Sequence, residues 1–171
     1  MRVGSQSISR GRMAVDYFLK IDGIEGESQD AGHKGEIDVE AWSWGETQAH
    51  PAGVGGGGGA GKVSMSDFSF TTRLSKASPT LFLTCASGAH IKAAWLTGQR
   101  GGGKHSDYFL KWTFSDLLIS SYQAGAAEDV PVDNVSFSFA KIEVEYKQLK
   151  ADGTLGGSFK AGWDLKKNQK I

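Results

Sequence analysis

Cysteine is all but absent from this chain. Cys85 stands alone among 171 residues, so no internal disulfide can form, and no cysteine and histidine cluster has the spacing of a zinc site. That usage suits a reducing compartment, with synthesis in the cytoplasm. Net charge is missing as well: 19 Lys and Arg balance 19 Asp and Glu, which leaves no overall field to draw the protein to nucleic acid or to an anionic membrane. Neutrality also lets copies of the chain approach one another. No apolar run is long enough to cross a bilayer, so membrane insertion is not expected. The start, MRVGSQSISRGR, carries Arg2, Arg10 and Arg12 with no apolar segment behind them, and is not a secretory signal.

What is present fits one folded unit, since a chain of this length buries a core without metal or disulfide staples. Met13 opens the first amphipathic segment, so residues 1–12 are read as a disordered leader and 13–171 as the domain. Val15, Tyr17, Leu19 and Ile21 alternate with Asp16, Phe18, Lys20 and Asp22, the period of a half-buried strand. GIEGESQDAGHKG reads as a loop. In EIDVEAWSWGETQ, Ile37, Val39 and Ala41 share one face and Trp42 and Trp44 the other, so this strand is covered on both sides or bends at the tryptophans. KVSMSDFSFTTRL alternates again, with a shift in phase. KASPTLFLTCASGAH is the one helix: Ser78 is the expected N-cap, worth about 1 kcal/mol, Pro79 takes the first helical position, and Gly88 ends it. Leu81, Cys85 and Phe82 fall on one stripe, which makes Cys85 a core residue and not a nucleophile.

IKAAWLTGQRGGGKHSDYFLKWTFSDLLISSYQAG reads as a hairpin turning at RGGGKHSD. In NVSFSFAKIEVEYKQL, Val135, Phe137 and Phe139 lie on one face, but Ala140, Ile142, Val144 and Tyr146 lie on the other. A phase flip at Phe139–Ala140 marks a bulge or bend that carries one long strand from one packed layer into the next. FKAGWDL offers a last short strand. The chain is mainly β with one short helix, and the corner points to a closed or nearly closed barrel.

The run GGGGGAGKVS nearly spells a phosphate-binding loop, with Gly56, Gly61 and Lys62 in place. Val63, however, stands where a magnesium-binding hydroxyl must be, and the residues that follow alternate with period two instead of opening a helix. A slack loop is the better reading. His33, His50, His90 and His105 are isolated in or beside loops and read as solvated surface histidines. Asp38/Glu40 and Glu143/Glu145 sit two apart on strands and mark polar faces, not an acid–base pair. No catalytic, cofactor or metal residues emerge. Five Trp and nine Phe exceed what one face per strand can bury, and the surplus points to burial against another copy of the chain.

MAVDYFLKIDGIEGESQD, EIDVEAWSWG, GGGGGAGKVSMSDFSF, KASPTLFLTCASGAHI, DLLISSYQAG, DNVSFSFAKIEVEY and GGSFKAGWDLKKN occur in the order seen in Hcp, the hemolysin-coregulated protein family of bacterial type VI secretion. The resemblance runs from Met13 onward. It implies a two-sheet β-barrel with one helix, assembled with itself as a hexameric ring. Rings stack into the inner tube of a contractile machine of Gram-negative bacteria, beside its spike and sheath proteins, and the lumen can hold effector proteins. The protein would be cytoplasmic when assembled and secreted without a signal peptide. By the same resemblance Ser43, between Trp42 and Trp44, looks onto the lumen. The loop Glu46 to Gly61 projects towards the next ring, making Glu46, His50, Gly55, Gly56, Gly57, Gly58, Gly59, Gly61 and the following Lys62 candidate stacking residues. The resemblance implies no cofactor. The competing readings are a monomeric ligand-binding barrel, with the aromatics lining an internal pocket, and a nucleotide-binding protein.

Overall fold

One long hairpin organises the chain. A computed structural model describes residues 14–48, 62–100, 108–127 and 129–171. Strand β8 (Tyr108–Ala127) and strand β9 (Val130–Leu149) are 20 residues each and pair from Leu110 opposite Tyr146 to Ala127 opposite Val130. On the β8 side follow β7 (Ile91–Arg100), β1 (Val15–Ile21) and the short β2 (Ile37–Val39), all antiparallel. On the β9 side lie β10 (Leu155–Asp164) and β11 (Gln169–Lys170). A branch adds β6 (Phe68–Arg73) to β9 and β3 (Ala41–Ser43) to β6. Strands β4 (Glu46–Gln48) and β5 (Val63–Met65) form a separate two-stranded ribbon.

The phase flip in β9 is where that strand changes neighbour. Residues Val132 to Phe137 pair with β6, and Lys141 to Leu149 pair with β10. Between them the Ala140 carbonyl leaves the ladder and accepts the Leu165 N–H at 2.9 Å. In β8, Ser115 faces Lys141 and Leu117 faces Phe139. Asp116, between them, takes a left-handed φ of 56°. A second irregularity follows between Ile119 and Ser121. Such interruptions bend the bulged strand and increase its twist.

The core collects where the branches meet. Phe68, Phe114 and Phe137 are fully buried and mutually packed, with ring centroids 4.8, 5.2 and 5.0 Å apart. Leu19, Ile37, Leu96 and Leu117 surround them. The strand expected in EIDVEAWSWGETQ breaks at Glu40, ahead of the tryptophans: Ile37 and Val39 face the core, Ala41 is exposed, and Trp42 and Trp44 turn inward instead. The expected strand after Lys62 likewise splits in two, because Ser66 and Asp67 lie between β5 and β6.

Helix α1 (Ala77–Ser87) ends as expected, with Gly88 at φ 64° and its N–H on the Cys85 carbonyl. Its start differs. Lys76 holds the N-cap position, Ser78 lies in the first turn, and the Ser75 hydroxyl takes the Ala77 N–H at 3.2 Å. Ser78 does not cap. It accepts the Ser75 N–H at 3.0 Å and donates to the buried carboxylate of Asp133, a partner 55 residues away that local spacing cannot reveal. Leu81 is buried and Cys85 packs against the core, but Phe82 is exposed, so the expected stripe is narrower than three residues.

Candidate functional site

The sheet branch β3–β6–β9–β8 has two chemically distinct faces. In register across it lie Trp42, Phe70, Val135 and Tyr122 on the core side. The next row, Ser43, Ser69, Ser136 and Ser121, points the opposite way because strand side chains alternate. Ser43 is exposed while Trp42 and Trp44 pack against the core, as the sequence expects. The Ser69 and Ser136 hydroxyls are 2.8 Å apart, and Thr71 donates to Asn134 at 2.8 Å one row along. Together with Gln123 these side chains floor a shallow groove of about 380 Å³ with no charged residue in its lining. Hydroxyls and amides both donate and accept, so this surface can hydrogen-bond polar groups without selecting for charge.

The segment expected to project from the body begins as a strand, not a loop. Glu46 is an exposed residue of β4, opposite Met65 of β5, and Lys62 is exposed just ahead of β5. His50, Gly55, Gly56, Gly57, Gly58, Gly59 and Gly61 lie outside the described residues, as does the leader. The strand after Lys62 removes the helix that a phosphate loop requires.

Behind this ribbon lies a larger groove of about 860 Å³, lined by Trp44, Met65, Trp112, Val144 and Trp163 among others. The indole nitrogens of Trp44, Trp112 and Trp163 are buried with no hydrogen-bond partner among the described residues, although a buried Trp N–H ordinarily finds one.

His33 corrects a sequence expectation. It is buried, stacked on Phe18 at 4.3 Å, with Nδ1 2.7 Å from Glu36 and Nε2 3.3 Å from Gln99. Gln99 and Glu36 are too distant in sequence, or too ordinary in a loop, to have signalled it. His90 is exposed and lies 3.8 Å from Asp116, and His105 lies outside the described residues. Asp38 and Glu40 are exposed, as expected, and Glu40 pairs with Arg73 at 2.7 Å. Glu145 is the better-held acid. A hydrogen bond from Ser158 at 2.7 Å depresses its pKa against the opposing effect of burial, with Lys160 at 3.6 Å and Tyr108 at 3.3 Å assisting. The Lys167 N–H at 2.9 Å does the same for Asp164, with Lys141 beside it. These are holds on structural carboxylates, and among the described residues no group of three His, Cys, Asp or Glu could hold a metal ion.

Residues 18–146 match the family described as "Type VI secretion system effector, Hcp". Over 159 residues the chain is 45% identical to "Protein hcp1" of Pseudomonas aeruginosa, covering 91% of this chain and 98% of that one. Its fold is similar to the crystal structure of Hcp1 from Salmonella typhimurium, with a TM-score of 0.77 at 38% identity over 93% of this chain and 100% of that one. It is also similar to a structure described as a type six secretion system protein, with a TM-score of 0.84 at 28% identity over 92% and 100% of the two chains.

Proposed function

The chain belongs to the Hcp family of type VI secretion tube proteins, which are structural and not enzymatic, and on that premise we propose that it is the repeating subunit of a tube made of stacked hexameric rings. In this reading the sheet closes into a barrel. The path runs from β9 through β8, β7 and β1 to β2, and returns through Glu40, whose N–H bonds the Thr71 carbonyl at 2.8 Å, to β6 and β9. The two-faced sheet carries the proposal: Trp42 and Phe70 face the core, while the serine row faces outward and is uncharged. That outward face becomes the wall of the lumen, Ser43 contacts effector proteins passing through it, and the segment from Glu46 to Lys62 meets the next ring. Sheath and spike proteins of the same machine are the outer partners, and export follows the tube rather than a signal peptide.

Light scattering with negative-stain microscopy tests the assembly: six-fold rings are expected, and a clean monomer at high concentration would end the reading. Ser43→Gln should leave rings intact and abolish retention of co-expressed effectors. Full retention by rings of that variant would remove Ser43 from the wall.

A further inference from the structure

We infer that residues 22–36 form a strap over β1 and β7 whose closure is set by pH, with His33 as a latch that holds only while both of its ring nitrogens carry a proton. The inference concerns a single chain and does not depend on the ring reading.

The strap leaves the end of β1 and returns to the start of β2. Its two arms bond each other, with the Gly26 N–H on the Gly35 carbonyl at 2.8 Å, the Ser28 N–H on the Glu36 carbonyl at 3.0 Å and the Gly35 N–H on the Ser28 carbonyl at 3.0 Å. Gly26 lets the arms meet, since a Cβ there would collide with the Glu36 carbonyl. His33 then carries the strap onto the outer side of the sheet. Phe18 points that way, opposite to Leu19, and is nevertheless 5% exposed because the His33 ring lies over it, parallel to within 2°.

The hydrogen bonds fix the proton count. Glu36 Oε2 lies 2.7 Å from Nδ1, and a carboxylate only accepts, so Nδ1 carries a proton. Gln99 Nε2 donates to Asp30 at 3.4 Å, which turns Gln99 Oε1 towards His33 Nε2 at 3.3 Å. Turning that amide over would set its oxygen against the Asp30 carboxylate. Nε2 therefore needs a proton too, and the latched ring is an imidazolium.

The surrounding charge agrees. Glu36 and Asp30 approach from the strap, whose Lys34 is exposed; Asp38 of β2 stands opposite Phe18, and Asp16 of β1 opposite Gln99. Lys20 of β1 and Lys111 of β8 line the cleft beside His33, with the Tyr108 phenol and the neutral Thr97. Carboxylates thus outnumber ammonium groups among the described residues, and Lys20 and Lys111 lie over the rings of Trp95 and Tyr108, at 5.6 and 5.9 Å. Removing a proton from His33 leaves a lone pair against the oxygen of Gln99 or Glu36 in a buried place, where an unmade bond is costly. The closed strap binds the extra proton, so closure weakens as pH rises.

The test is amide hydrogen exchange of the full chain from about pH 5 to about pH 9, a span that includes histidine titration, with rates corrected for the intrinsic effect of pH. Protection of the Gly26, Ser28 and Gly35 amides should fall by roughly tenfold or more, while protection along β8 and β9 holds. In His33→Phe, which keeps a ring over Phe18 and cannot titrate, strap protection should not change with pH. Nitrogen NMR of the native His33 ring should show both nitrogens protonated at the acid end, with loss of one proton tracking strap opening. Strap protection that ignores pH in the native protein, or falls equally in His33→Phe, would overturn the inference, as would a singly protonated ring under a closed strap. Should His33→Phe fail to fold, Gln99→Leu takes its place. It removes the acceptor at Nε2, so a ring protonated on Nδ1 alone stays satisfied and strap protection should again be independent of pH; a fall as large as the native one would refute the latch.

Discussion

The two ends of the β8–β9 hairpin carry the same polar device in different surroundings. Near the helix, the Asp133 carboxylate accepts from Ser78 and from the Tyr122 hydroxyl at 2.9 Å, and it is fully buried. At the open end, the Glu145 carboxylate accepts from Ser158 at 2.7 Å and Tyr108 at 3.3 Å, with Lys160 in reach and solvent beside it. The apolar rows differ in parallel: Phe114 and Phe137 are sealed, whereas Tyr146 and Phe159 are bare. What separates them is cover, which the described residues supply to Phe114 and Phe137 but not to Tyr146 and Phe159.

The largest effects should therefore come from the sealed core. Phe114→Ala removes one of three mutually packed rings and should cost about 3–5 kcal/mol in denaturant unfolding, as large-to-small core changes do. Phe159→Ala, at the open end, should change the unfolding free energy of the single chain by no more than about 0.5 kcal/mol. Equal costs would mean that the open end is already packed within one copy, which would erase the contrast.

Tyr122→Phe comes next. Asp133 keeps Ser78 but loses a donor to a buried carboxylate, for an expected cost of about 1.5–3 kcal/mol. Burial, followed by the hydrogen bond and charge of Asp133, holds the Tyr122 hydroxyl above its ordinary value of 10.0. A phenol whose pKa is raised on folding contributes stability that is complete below the unfolded value and is lost as pH rises through the folded one. The gap between the native protein and Tyr122→Phe should accordingly close in alkaline solution. A gap that widens there would mean that the hydroxyl is not held by Asp133.

Much of this architecture is legible without coordinates because it is written in local pattern. The period of two places β1, the flip at Phe139–Ala140 marks where β9 trades β6 for β10, and Gly88 ends the helix. The exposure of Ser43 is readable too, since a strand residue between two inward-facing tryptophans points away from them. What escaped depends on distant partners. Ser78 has the look of a cap, but its hydroxyl is drawn to Asp133 in another strand. His33 has the look of a loop histidine, but Phe18 and Gln99 enclose it. Ala41 fell out of phase because Glu40 bonds across to Thr71 and turns the chain there. Five tryptophans signalled surplus apolar surface, yet only the register across β8, β9 and β10 shows which rows stay bare.

The smallest effect belongs to Ser158→Ala, at the open end. Its hydroxyl is the leading reason the Glu145 pKa lies below the ordinary 4.5, but this carboxylate has other donors and some solvent. Loss of the bond should cost about 0.5–1.5 kcal/mol at neutral pH. A carboxylate whose pKa falls on folding contributes stability present above the unfolded value and lost as pH drops through the folded one, so the deficit of Ser158→Ala should vanish in acid. NMR titration of the Glu145 carboxyl carbon should show its pKa moving back up in the variant. A cost at neutral pH matching that of Tyr122→Phe would mean that solvent does not stand in for the lost hydroxyl, and that exposure is not what distinguishes the two carboxylates.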